Sequence, residues 1–163
     1  MRILMILIPD DEARVPARPP VLRLERFIGP YYAFRDAGAE VVLASPSGGF
    51  PWMGPAADGR GVASPGLDRF RADRPAREDL TDTLDLGQIY AEDFDAALCL
   101  GTPAPPQAGA MIAGFLRAGK PVAAIPSAPD LVARGVGEGL IITGDDAAAS
   151  LRAALALLGA LRG

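Results

Sequence analysis

Short, unbroken apolar runs recur along the chain: RILMILI (2–8), AEVVLAS (39–45), FDAALCLG (94–101), PVAAI (121–125) and GLIIT (139–143). Each is too short for a buried helix and lacks the alternation of a half-exposed strand, which suits strands buried on both faces. Helical patterns separate them. Phe27, Tyr31 and Phe34 recur at helical spacing between Leu24 and a stop at Gly38. Leu80, Leu84 and Ile89 predict a second helix, and 105–119 a third that opens on proline and closes on Gly119. A short helix at 128–134 and a final Ala/Leu-rich helix capped by Asp145 complete the pattern. Strands alternating with helices specify an α/β fold with a mainly parallel central sheet covered on both faces.

In such a sheet the site lies at the carboxyl ends of the strands. The turns there are 9–11, 45–49, 101–106, 126–128 and 143–145. The segment 45–76 is rich in glycine and proline, contains Trp52, and is expected to be a long functional loop. Pro30 is expected to close an irregular lead-in and to open the first helix proper. No glycine-rich dinucleotide fingerprint follows the first strand. The Ser47-Gly48-Gly49 turn is a weak phosphate signal, better read as a loop that needs glycine.

Composition narrows the chemistry. The 163 residues carry no histidine and a single cysteine, Cys99. This chain therefore supplies no Ser-His-Asp triad, no Cys-His pair, no histidine-based metal site and no internal disulfide. The length predicts one domain, 1–163. A net charge of −4 with scattered arginines gives no electrostatic reason to expect nucleic-acid binding. The first apolar run is too short for a signal-peptide core or a membrane span. A cytoplasmic protein with no cofactor, no membrane partner and a small-molecule ligand is the expectation.

The stretch GPYYAFRDAGAEVVLASPSGGFP (29–51) resembles the DJ-1/PfpI superfamily of the class I glutamine-amidotransferase-like fold, and is most similar to its Hsp31-like and PfpI-like members. The resemblance continues through 68–101, resumes at FLRAGKPVAAI (115–125) and again at 139–158, covering most of the chain. It implies a flavodoxin-like three-layer sandwich and a homodimer. It also implies a site with three parts: a Glu four residues before the proline of the P-Y motif, a Cys at a strand-helix elbow, and a Gly-Gly turn whose amide helps to hold an oxyanion. Members of the family include glyoxalase-type lyases, amidase-like hydrolases and chaperone-like proteins.

This sequence departs from the pattern at each part. Arg26 stands at the Glu position, with Glu25 beside it. Pro126 stands at the elbow, followed by Ser127, and the Gly-Gly turn reads Gly101-Thr102. An elbow residue is held with positive φ, whereas proline fixes φ near −65°. Pro126 thus has neither a nucleophile nor the elbow backbone. Arg26 is a permanent cation that shuttles no protons but can anchor a carboxylate or phosphate. The expected function is that of a catalytically degenerate family member, binding a small anionic or carbonyl ligand through Arg26, Gly101, Thr102, Pro126, Ser127 and Asp11, or serving as a homo-oligomeric accessory protein.

The alternative is a Cys-independent lyase, cyclase or hydrolase reusing the pocket with Glu25, Arg26, Thr102 and Ser127, with Asp10 or Asp11 in support. Ser127 has no histidine to activate it and is better read as a helix cap. Asp10 and Asp11 fit a solvated turn, and Cys99 an inert buried thiol. One of Tyr31 and Tyr32 is expected in the core and the other at the pocket or a dimer face, with the aromatic stretch 27–34 supplying that face.

Overall fold

A computed structural model describes residues 1–9, 22–52, 65–101, 106–125 and 147–163. Its strands are β1 (Arg2–Leu7), β2 (Glu40–Ser45), β3 (Leu84–Asp85), β4 (Ala96–Leu100) and β5 (Val122–Ile125). They form one sheet in the order β3-β2-β1-β4-β5, and every pairing is parallel. The helices are α1 (Leu24–Asp36), α2 (Pro65–Ala72), α3 (Arg74–Thr81), α4 (Pro106–Arg117) and α5 (Ala147–Arg162). The flavodoxin-like α/β sandwich expected from the sequence is the fold observed.

The unbroken apolar runs are explained by two-sided burial. Along β1, Ile3, Met5 and Leu7 pack toward α1 and α5, whereas Leu4, Ile6 and Ile8 pack toward α4. Alternating side chains thus feed two cores, and both must be apolar. On the first face Phe27, Tyr31 and Phe34 of α1 meet Ala149, Ala153 and Leu157 of α5. On the second, Ala108, Ile112 and Phe115 of α4 cover Ala97 and Cys99.

Several expectations change. The segment 45–76 contains α2, which begins at Pro65, and α3 follows almost at once. Asp73 caps α3 by accepting from the Ala76 amide at 3.2 Å. The helix read through Leu80, Leu84 and Ile89 ends at Thr81; Leu84 lies in the edge strand β3 and is exposed. Pro30 lies inside α1 rather than at its start. It gives no N–H to the turn before it, and it is buried. The helix at 128–134, the strand at 139–143 and the Asp145 cap lie outside the described residues.

The stretch offered as a dimer face is buried within the chain itself. Phe27, Tyr31 and Phe34 are almost fully buried, and Tyr32 nearly so. Phe70 of α2 meets Phe27 edge-on at 5.9 Å. The Tyr32 hydroxyl donates to Asp73 at 2.9 Å, while Arg69 lies over the Tyr32 ring at 3.8 Å and grips Asp36 through two bonds of 2.8 and 2.7 Å. This network docks α2 and α3 on α1. Burial and the bond to Asp73 raise the Tyr32 pKa to about 12.

Candidate functional site

The strand order reverses between β1 and β4: the chain leaves β1 for β2 on one side and later returns to β4 on the other. In open parallel sheets, ligands bind outside the carboxyl ends of the strands at such a point. Ile8 and Gly101 lie there. The Ile8 amide donates to the Leu100 carbonyl, and the Gly101 amide to the Ile125 carbonyl, each at 2.9 Å. Gly101 has φ +106, and a Cβ on it would overlap the Ile8 carbonyl oxygen. Only glycine lets the two strand ends approach this closely.

The candidate residue Gly101 is therefore at the expected place, but its amide is committed to β5. Thr102, Pro126, Ser127, Asp10 and Asp11 lie outside the described residues. Ile125, the residue before Pro126 in sequence, ends β5 beside Leu100.

The other two candidates come from α1. That helix starts after β1 and ends where Gly38 and Ala39 lead into the parallel strand β2, so its first turn lies at the carboxyl edge of the sheet. Glu25 and Arg26 occupy this first turn, and both are half-buried. Consecutive helical positions point about 100° apart, so Glu25 and Arg26 cannot face one ligand equally. The sequence reading missed Arg23, the residue capping the helix. Its backbone carbonyl accepts from the amides of Arg26 and Phe27, and its guanidinium lies 3.9 Å from the Glu25 carboxylate. This ion pair gives Glu25 a structural partner. The clustering of charge in Arg23-Leu24-Glu25-Arg26 was the available signal.

Cys99 lies two residues before Gly101, but its side chain points into the core under α4. The thiol is fully buried, its nearest polar partner is the Gly101 carbonyl at 4.0 Å, and desolvation pushes its pKa up to about 12. A thiol so placed is not a nucleophile at neutral pH.

The Ser47-Gly48-Gly49 turn offers no anion cradle. The Gly48 amide donates to the Ser45 carbonyl at 3.3 Å and the Gly49 amide to the Thr83 carbonyl at 2.9 Å. The buried hydroxyls of Ser45 and Thr83 meet at 2.7 Å, and Thr83 also donates to the Gly49 carbonyl. The turn is thereby tied to β3. Trp52 is partly exposed beyond it. Among the described residues, no cluster of three metal-ligating side chains occurs, and no helix is long and apolar enough to cross a membrane.

No protein-family model and no curated protein matches the chain. Solved structures do match it. The Francisella tularensis Rapid Encystment Protein of 24 kDa aligns with a TM-score of 0.74 at 14% identity, over 98% of each chain. Glyoxalase III from Candida albicans aligns with a TM-score of 0.65 at 12% identity, over 98% of this chain and 96% of that one. Drosophila melanogaster DJ-1beta aligns with a TM-score of 0.57 at 19% identity, over 98% and 89%. At these identities the likeness establishes a shared fold.

Proposed function

We propose that this chain, which has the DJ-1/ThiJ/PfpI fold, binds a small anionic ligand at the switch point between β1 and β4 and does not perform cysteine-dependent catalysis. The observation that carries this reading is the state of its one thiol. Cys99 is fully buried against α4 with its pKa pushed up to about 12. The chain also has no histidine to act as a base, and proline at the elbow position. A glyoxalase or amidase step of the thiolate type has no nucleophile here.

Arg26 is the anchor in this proposal. It stands in the first turn of α1, where the positive end of the helix dipole already favours an anion. A guanidinium binds a carboxylate or phosphate through two parallel bonds and stays charged at all relevant pH values. Thr102 and Ser127 would add amide donors from the neighbouring turns. A homodimer remains part of the proposal. Its face cannot be the aromatic stretch of α1, which is buried. Among the described residues, the exposed Leu151 and Leu155, one turn apart on α5, are two of the apolar side chains that could supply it.

The test is calorimetric titration with inorganic phosphate and with glyoxylate, a small carboxylate that also carries a carbonyl. Arg26→Ala should weaken binding by about ten- to a hundredfold, the loss of one or two charge-assisted bonds. Arg26→Lys should recover only part of the affinity, because an ammonium lacks the planar fork. Unchanged affinity in Arg26→Ala, or no binding of either anion to the wild type, would refute the proposal.

A further inference from the structure

Lys120 is the chain's only lysine, and it lies at the edge of the sheet opposite the candidate site. Its backbone is set by the end of α4. Gly119 takes φ +67, its amide donates to the Leu116 carbonyl at 3.1 Å, and the Lys120 amide donates to the Phe115 carbonyl at 2.9 Å. This pair of bonds is the Schellman ending, which fixes the direction in which the next side chain leaves. The Lys120 side chain then reaches the short 3-10 turn Ala91–Asp93, which leads into β4. There its ammonium donates to the carbonyls of Ala91 at 3.1 Å, Glu92 at 3.1 Å and Phe94 at 2.7 Å.

An ammonium has three N–H donors, and each is matched to one carbonyl. The carbonyls converge on a single point at the end of a turn, where the backbone dipole is negative. Converging backbone carbonyls of this kind can replace the hydration shell of a potassium-sized cation. Lysine is also the cation that fits: a compact charge with three rotatable donors, where the planar guanidinium of the fifteen arginines would not match three convergent oxygens.

We propose that the carbonyls of Ala91, Glu92 and Phe94 form a binding site for ammonium-like monovalent cations, which Lys120 fills with its own tethered ammonium. The tether makes the entry into β4 independent of any free ion. Phe94, the last residue of the cradle, packs its ring near Phe115 at 6.4 Å and under the Arg2 guanidinium at 5.1 Å. The cradle thus fixes the start of β4, the strand that leads to Gly101.

Chemical rescue tests this. Lys120→Ala removes a propylammonium-sized piece and vacates the cradle. Its Tm should fall by about 4–8 °C. Propylammonium or ammonium chloride should then raise its Tm by about 3 °C at ten times Kd, relative to choline chloride at equal ionic strength. Wild type should respond equally to all three salts. Equal responses of Lys120→Ala to propylammonium, ammonium and choline would overturn the proposal. Should Lys120→Ala fail to fold, acylation of the wild type by a succinimidyl ester, read by site-resolved mass spectrometry, decides. Lys120 is expected to react at least about tenfold more slowly in the native than in the denatured protein, its three N–H groups being held. Equal rates would overturn the cradle.

Discussion

The two edges of the sheet are built from different materials. At the amino edge, charged side chains are tied to backbone and to one another. The Arg2 amide donates to the Asp95 carboxylate at 2.7 Å, the Arg2 guanidinium meets Glu40 at 3.1 Å, and Lys120 grips three carbonyls. At the carboxyl edge, among the described residues, backbone bonds join the ends of β1, β4 and β5, through Ile8, Leu100, Gly101 and Ile125. Among the described residues, Glu25 and Arg26 in the first turn of α1 bring charge to this edge. In the proposed reading the difference separates tasks: the amino edge holds the sheet together with its charges, while Arg26, in the first turn of α1 at the carboxyl edge, serves an anionic ligand.

That division can be broken by substitution. Gly101→Ala should have the largest effect, because it adds a Cβ at positive φ against the Ile8 carbonyl. A loss of about 3 kcal/mol, read by chemical denaturation, is expected. A loss below about 1 kcal/mol would mean that the β1–β4 junction yields easily. The Lys120 variants come next and should lower stability without changing anion affinity. Arg26→Ala should do the reverse, weakening anion binding by more than it lowers stability. A Lys120 variant that loses the anion, or an Arg26 variant that unfolds, would merge the two edges into one cooperative unit.

A further effect, confined to alkaline pH, is on the pH dependence of stability. Burial raises Cys99 from 9.0 to about 12, and burial with the Asp73 bond raises Tyr32 from 10.0 to about 12. The folded protein keeps these protons at pH values where the unfolded chain has released them. Their contribution is therefore complete below pH 9 and declines as pH rises from 9 toward 12. Tyr32→Phe should flatten the decline above pH 10, and Cys99→Ala should flatten it from pH 9. A slope unchanged in both variants would contradict the burial of these groups.

Much of the fold was legible because double burial leaves a direct mark. The runs around Leu4, Leu98 and Ala123 read as strands since both faces had to be apolar. The register of β3 was not legible: Leu80 and Leu84 stand four apart and imitate a helix, although the helix ends at Thr81. Helix α2 was hidden because, in a glycine- and proline-rich setting, its pattern rests on Leu67 and Phe70 with few other apolar residues. The candidates Arg26 and Pro126 came from departures at the Glu and elbow positions of a family pattern, and Gly101 from the glycine that its Gly-Gly turn retains. The commitment of the Gly101 amide to Ile125 and the pairing of Arg23 with Glu25 were not legible, since both depend on geometry. The Lys120 cradle joins residues 26 to 29 positions apart, beyond the reach of any local pattern.

The central claim is that thiolate chemistry is absent, and methylglyoxal tests it most directly. Purified wild-type protein should consume methylglyoxal no faster than buffer containing the same protein after heat denaturation and clarification. Native Cys99 should meanwhile remain unalkylated by iodoacetamide at pH 8 until denaturant is added. Sustained turnover of methylglyoxal that disappears in Cys99→Ala would contradict the account, because it would require the buried thiol to reach substrate as a thiolate.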